Sequence, residues 1–287
     1  MPEKWIDVSA HQGAIDWPRV KACGVAGAVL RAGYGNDAGQ RDAQFTANIK
    51  GASAAGMKTA VYWFSYADSV GDALKEWAAC RSVIEPYRKN ILFVAFDYEY
   101  DSIRYYRKLH GAAPSNELVN GMANAFLGAA KADGWGTALY TNNDYRRNVF
   151  SAATLAAWML WLADYTGGPD VPCAMQQTGS TGRVDGIAGN VDMDILFHAL
   201  GVPVANPPYS CDTSGTVEIA RGAAYQALIT CSGTPNVVAG TADVVTVLHR
   251  YDDGDKHYFY IVPIGRSGQE AGIYINGARQ FIVRVMK

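Results

Sequence analysis

Eight short apolar runs, many of them β-branched, recur through the first two hundred residues, at 5–8, 26–32, 59–64, 91–97, 137–141, 158–163, 172–177 and 191–196. Each has the length of a strand, and segments of helical spacing separate several of them. Asp16 before Trp17-Pro18 reads as an N-cap with proline in the first turn. Residues 42–55 and 68–84 carry apolar side chains three and four apart, and Ser115 opens a helix that stops at Gly134. Strand and helix alternating in this way predict a mainly parallel sheet, and eight strands predict a (β/α)-barrel of TIM-like kind. Only 179–189 separates the last two strands, too little for a helix, so the expected barrel is irregular and has fewer than eight full helices.

The texture changes after Gly201. All seven tryptophans lie between Trp5 and Trp161, and Pro203, Pro207 and Pro208 mark a break. The expected division is a barrel domain at 1–203, a linker at 204–208 and a small all-β domain at 209–287. In the last of these, strands are expected at 216–220, 225–230, 244–251, 257–263, 271–275 and 281–285. Turn signals separate them, among them Gly233-Thr234-Pro235, Asp252-Asp253-Gly254-Asp255 and the hairpin dipeptide Asn276-Gly277, and the whole reads as an immunoglobulin-like sandwich. Cys211 and Cys231 leave a disulfide open.

Composition removes several function classes. Apolar residues at 49% and charged residues at 18% exclude a disordered chain. A net charge of −2 argues against non-specific binding to nucleic acid. The longest apolar runs, 91–96 and 158–163, fall far short of the ~20 residues that span a membrane, and no apolar signal segment follows Met1. Five cysteines do not make a disulfide scaffold, and the five histidines form no metal-ligand spacing, so neither metal nor cofactor is expected. Oligomeric state is not legible.

In a barrel of this kind the active site lies where the strands end. The strand ends offer Asp7, Arg31, Phe64, Asp97 with Glu99, Tyr140, Asp164, Gln177 and Asp192. Carboxylates for acid–base work, aromatic faces for sugar rings and an amide for hydroxyls together suit carbohydrate chemistry. Within Phe96-Asp97-Tyr98-Glu99 the two acids are two apart, ~6.6 Å along a strand, and share a face. Such a pair could divide into a protonated acid and an ionised neighbour, or be two solvated acids at a strand end. His11 reads as a rim residue.

Five anchors in order carry a resemblance. Asp7-Val8-Ser9 through Gln12-Gly13 to Ile15-Asp16-Trp17, Arg31-Ala32-Gly33-Tyr34-Gly35, Tyr62-Trp63-Phe64-Ser65-Tyr66-Ala67 with Ala73 and Glu76, Phe96-Asp97-Tyr98-Glu99, and Thr181-Gly182 through Gly186-Ile187 to Gly189-Asn190-Val191-Asp192 resemble the glycoside hydrolase family 25 lysozymes over residues 4–198. The resemblance implies a muramidase acting on peptidoglycan, phage-endolysin-like, that cuts the β-1,4 bond between N-acetylmuramic acid and N-acetylglucosamine. It implies Glu99 as general acid, Asp97 as assisting carboxylate, and Asp7 and Asp192 completing a ring of four acids. The substrate's acetamido group as nucleophile, a direct nucleophile and an inverting water all stay open.

The sequence also departs from that family. Gln176-Gln177-Thr178 stands where Trp-Gln-Tyr is usual, and Asp194 where Asn is usual, an extra carboxylate that could raise a neighbour's pKa but is read here as a conservative hydrogen-bonding replacement. Tyr62, Tyr98, Tyr140 and Gln177 are expected in the cleft, Phe64 at its edge or in the packing, and Arg31 either on a substrate carboxylate or paired with an acid of the ring. Trp158 and Trp161 read as core, Cys23 and Cys80 as buried thiols, and 104–108 as a solvated loop. A non-catalytic glycan-binding barrel is the main alternative. A chitinase fits less well, because its motif needs acids where Phe93 and Ala95 stand. Action on the bacterial wall, by phage lysis or secretion, and wall binding by the small domain are the corresponding expectations.

Overall fold

A computed structural model describes residues 2–197, 209–231, 235, 237–241, 243–275 and 278–287. The chain divides into two compact units, residues 1–150 with 158–202 and residues 151–157 with 203–287. The expected linker at 204–208, the prolines beside it, and the Gly233-Thr234 and Asn276-Gly277 turns lie outside the described residues.

The first unit is a closed barrel of eight strands in sequence order: β1 (Glu3–Val8), β2 (Gly27–Tyr34), β3 (Lys58–Phe64), β4 (Ile91–Asp97), β5 (Thr137–Asn142), β6 (Met159–Ala163), β7 (Met175–Gly182) and β8 (Val191–Leu196). The first seven run parallel to their neighbours. The eighth runs antiparallel to both β7 and β1, so the barrel is mixed. The cause is the short connection after β7, since a parallel crossover needs a dozen or more residues and a hairpin does not.

Helices follow the early strands: α1 (Trp17–Ala22) after β1, α2 (Phe45–Ala54) after β2, α3 (Val70–Ile84) after β3, and α4 (Tyr100–His110) and α5 (Asn116–Ala132) after β4. Two single-turn pieces, α6 (Asn143–Asn148) and α7 (Ala152–Ala157), follow β5. Among the described residues none follows β6 or β7. Asp16 caps α1 by accepting from the Arg19 amide at 3.2 Å, Ser69 caps α3 and Ser115 caps α5. Residues 104–108 are helical, not a loop. Their charged side chains line the exposed face of α4, and Gly111 ends it in a left-handed conformation at φ 75°.

Side chains alternate across the barrel wall with the period of two that strands impose. Trp5, Val29, Ala60, Phe93, Ala95, Ala138, Trp161, Met175 and Leu196 pack together in its interior. Ile6, Leu30, Val61, Val94, Phe96, Leu139 and Leu162, of the opposite parity, are also buried, between strands and helices. Burying each large one removes apolar surface worth roughly 1.5–3 kcal/mol. Trp158 is not core: it is half-buried, and its indole N–H donates to Asn124 at 2.8 Å. Cys80 is buried but Cys23, just past α1, is exposed.

The second unit has two four-stranded sheets. One has the order β10 (Gly215–Ala220), β16 (Ala278–Met286), β15 (Glu270–Ile275), β12 (Val237–Ala239). The other has the order β13 (Val245–Asp253), β14 (Lys256–Pro263), β11 (Tyr225–Thr230), β9 (Ser210–Cys211). Ile219, Ile229, Phe259, Ile261, Ile273, Phe281 and Val283 share one core. All six expected strands are present, and β9 and β12, two and three residues long, are added to them. Cys211 is a free thiol, so the Cys211–Cys231 bridge is not formed.

Candidate active site

Seven parallel strands deliver their C-terminal ends to one mouth of the barrel. The eighth delivers its beginning, so Asp192, second residue of β8, reaches that mouth because its strand is reversed, not because it ends there. Asp7 and Asp192 are cross-strand partners, and so are Gln177 and Asp194. The mouth holds a cavity of about 360 Å³. Asp7, Asp97, Glu99 and Asp192 line it with Arg31, Tyr62, Phe64, Tyr140 and Gln177. Tyr34, Tyr66, His11, Asp101 and Trp161 complete the wall.

Asp97 ends β4, and Glu99, two residues on, is the residue before α4. The Glu99 backbone N–H donates to Ser102 Oγ at 3.0 Å, which fixes where the carboxyl leaves the chain. Burial raises the Glu99 pKa, the charge of Asp192 adds to this, and a hydrogen bond from Tyr140 opposes it. Burial and the charge of Glu99 push Asp97 well above the usual carboxylate range, against the pull of Arg31. Asp97 Oδ1 is buried and has no hydrogen-bond partner.

The opposite wall is knitted together by one amide. Gln177 Oε1 accepts from the Tyr140 hydroxyl at 2.9 Å and the Tyr165 hydroxyl at 2.8 Å. Its Nε2 donates to Asp7 Oδ2 at 2.7 Å and, more weakly, to Asp192 Oδ2 at 3.4 Å. Both amide protons and both acceptor positions are thus used inside the protein. Gln177 is buried in the cavity wall, with the hydrogen-bonding capacity of its amide met inside the protein. Burial, followed by the charges of Asp194 and Asp192, raises the Asp7 pKa well above its ordinary value.

Several residues fall elsewhere than the sequence suggests. Tyr98 does not reach the cavity, since alternation turns it outward between Asp97 and Glu99. It is 1% exposed, with its ring parallel to Phe96 at 6.3 Å. Arg31 lines the cavity, but its Nε is held by Asp42 at 2.6 Å, an acid outside the ring of four. Asp42 also accepts from the amides of Ala10 and Gln44 at 3.0 and 2.9 Å, which is why α2 starts at Phe45 and not at Asp42. Asp164 is a loop-shaping acid. It accepts from the Thr166 amide and hydroxyl and from the Asp170 amide, and these bonds lower its pKa to about 2.

Tyr34 and Tyr66 were not singled out from sequence. Their rings meet edge to face at 6.1 Å, and Tyr66 also meets Phe64 at 5.0 Å and Tyr105 at 5.1 Å, giving one side of the cavity an aromatic wall. The Tyr66 amide donates to Glu76 Oε1 at 2.7 Å, an acid of α3 that is fully buried. Burial raises the Glu76 pKa to about 8. Among the described residues no group of three or more metal-binding side chains forms, and no helix is long and apolar enough to cross a membrane.

A sequence model of the glycosyl hydrolases family 25 matches residues 6–184. No curated protein matches the chain. Among solved structures, the modular autolysin LytC of Streptococcus pneumoniae in complex with a synthetic peptidoglycan ligand aligns with a TM-score of 0.60 and 23% identity, over 68% of this chain and 47% of that one. The matched region thus spans about half of that autolysin. The bacterial lysozyme of Streptomyces coelicolor aligns at 0.57 with 24% identity, over 69% of this chain and 93% of that one. The spore cortex lytic enzyme SleM of Clostridium perfringens aligns at 0.57 with 14% identity, over 99% of this chain and 98% of that one. At these identities the structural likenesses establish the fold.

Proposed function

The chain belongs to glycosyl hydrolase family 25, and from this premise we propose that it is a peptidoglycan hydrolase cutting the β-1,4 bond between N-acetylmuramic acid and N-acetylglucosamine. The observation that carries the reading is the pairing of two acid walls across one cavity, Asp97 with Glu99 facing Asp7 with Asp192. Glu99 is the general acid. Burial favours a proton on this pair, and in this reading the proton for which the two carboxyls compete lies on Glu99, the donor to the glycosidic oxygen, and leaves Asp97 ionised. Asp97 is the assisting carboxylate. Its unpartnered Oδ1 is free to accept a substrate N–H, as an acetamido group attacking its own anomeric carbon would need. In that course the C1–O bond breaks as the acetamido oxygen bonds to C1 and the Glu99 proton goes to the leaving oxygen; water then adds to C1, the bond from C1 to the acetamido oxygen breaks, and the water's proton returns to Glu99. Tyr34, Tyr62 and Tyr66 supply ring faces for the sugars.

The bacterial cell wall is then the site of action. We read the second unit as an immunoglobulin-like sandwich that holds the enzyme on the wall. The face of its β13–β14 pair supports this: Tyr251 and Tyr258 stack at 4.4 Å, and the Arg250 guanidinium lies 5.2 Å from the Tyr251 ring and 4.8 Å from that of Tyr260. The test is release of reducing ends from purified peptidoglycan by the full chain and by Glu99→Gln, with chitin as comparison. Release by the wild type, lost in the variant and weak on chitin, is expected. No release, or equal release by both proteins, overturns catalysis and leaves the glycan-binding barrel.

A further inference from the structure

Residues two apart on a strand share a face, so Asp194 follows Asp192 into the barrel one step deeper. It lies opposite Trp5 on β1 and Gln177 on β7. Asp194 is 1% exposed. Its Oδ1 accepts from the Trp161 indole N–H at 2.8 Å, while its Oδ2 is buried without a hydrogen-bond partner. Asp7, paired with Asp192, is its diagonal neighbour on the same face of the barrel wall, and the two carboxyls act directly on each other.

Besides the acids, the groups facing Asp7 among the described residues are the hydroxyls of Tyr62 on β3, Tyr140 on β5 and Tyr165, the last two committed to Gln177. Gln177 on β7 spends its two amide protons on Asp7 and Asp192, and Trp161 on β6 spends its one on Asp194. The charged groups acting on Asp194 are Asp7 from β1 and Asp192 from β8, both acidic. Two ionised carboxylates in contact inside a barrel, with no donor between them, repel each other without solvent to screen them. One proton between the two removes the repulsion and also gives Asp194 Oδ2 its missing donor.

We propose that Asp7 and Asp194 hold a single proton between them, and that Asp194 is a positioning residue that keeps Asp7 uncharged at the cavity. Burial raises the pKa of both groups, in accord with retention of a proton by the pair at neutral pH. The pair's negative charge then lies at Asp194, deeper than Asp7 and farther from Glu99. The mouth thus contains four carboxyls without four charges. The inference deepens the muramidase reading and rests on it only for the activity measurement below.

The experiment uses the full chain at neutral pH and the infrared C=O stretch of protonated carboxyls, compared among wild type, Asp194→Asn, Asp7→Asn and the double variant. Either asparagine brings its own N–H to the remaining carboxylate, which then ionises. Each single variant is expected to lose the intensity of one protonated carboxyl, and the double variant no more than either single. Unchanged intensity in the single variants, or a doubled loss in the double variant, overturns the shared proton. In Asp194→Asn the charge moves to Asp7, nearer Glu99, so the alkaline limb of reducing-end release is expected to move up by roughly half a pH unit. A limb that stays in place overturns the positioning role. A wild type that cuts no wall but keeps the infrared signature would instead sink the muramidase reading and leave the shared proton standing.

Discussion

The two acid walls of the cavity differ in how well their oxygens are satisfied. On the Asp7–Asp192 side, one glutamine, one indole and two tyrosine hydroxyls are committed to the carboxyls or to the amide that orients them, and the bare oxygen there, Asp194 Oδ2, lies behind the cavity wall and not on it. On the Asp97–Glu99 side, Asp97 Oδ1 has no partner, and Arg31, the nearby cation, has its Nε on Asp42. Protein interiors rarely leave a buried carboxylate oxygen bare, and where they do the missing partner is often a ligand. The comparison therefore assigns chemistry to the bare wall and support to the saturated one. The reversed strand makes this division geometrically available, because β7 and β8 form an irregular antiparallel pair in which Gln177 lies opposite Asp194, with register shifts between Gln177 and Gly182.

The largest effect is expected on the bare wall. Glu99→Gln removes a proton donor while keeping the side-chain shape, and should lower reducing-end release by about 10²–10⁴-fold with the thermal midpoint nearly unchanged. A comparable loss of folding stability would place Glu99 among the supports.

Glu76 separates an unpartnered oxygen from catalysis. Its Oε2 is also buried and bare, but it lies behind the Tyr66 loop and outside the cavity wall. Its folded pKa of about 8 lies above the ordinary 4.5, so the folded state holds this proton more tightly than the unfolded chain. Stability contributed by that proton is present below about pH 4.5 and is lost as pH rises toward about 8. Glu76→Gln keeps an acceptor for the Tyr66 amide and should flatten the decline, gaining roughly 3–5 kcal/mol near pH 8. Urea unfolding across that range measures it, and an unchanged slope would mean that water reaches the carboxyl.

Gln177→Leu should come next, at roughly 2–3 kcal/mol of stability, since it removes the acceptor that the Tyr140 and Tyr165 hydroxyls share and a donor from Asp7. Activity should fall with it, read as a lower turnover number at nearly constant KM. A raised KM alone would return Gln177 to substrate contact.

Much of the fold was legible because its signals are local. Eight apolar runs became eight strands, and Asp16 and Ser115 stand where the helices they open begin. The site was legible where alternation alone decides a direction, as for Asp97. The same alternation turns Tyr98 outward and Asp194 inward, although Tyr98 was expected in the cleft and Asp194 was read as a simple replacement. Other contacts depend on distant segments meeting. Arg31 finds Asp42 across a loop, and Tyr66 enters the wall because Glu76 on the next helix holds its amide. The two-residue β9 has no periodicity of its own and exists only as a partner of β11.

Tyr165 gives the smallest expected effect and the most delicate test of the two-wall division. It was not singled out from sequence because it lies past the end of β6, in the loop that Asp164 shapes. Its ring is 54% exposed, yet its hydroxyl reaches Gln177 Oε1 at 2.8 Å. Tyr165→Phe deletes one of two donors to that oxygen and leaves the Tyr140 hydroxyl in place. A single hydrogen bond at an open edge contributes about 1 kcal/mol or less, equivalent to no more than about fivefold in turnover. If Tyr165 is only a support, turnover should slip by that amount while KM holds, and Tyr165→Phe should add nothing to Gln177→Leu, because the acceptor is already gone. A loss that persists in the Gln177→Leu background would mean that the hydroxyl touches substrate, and the saturated wall would then share in binding.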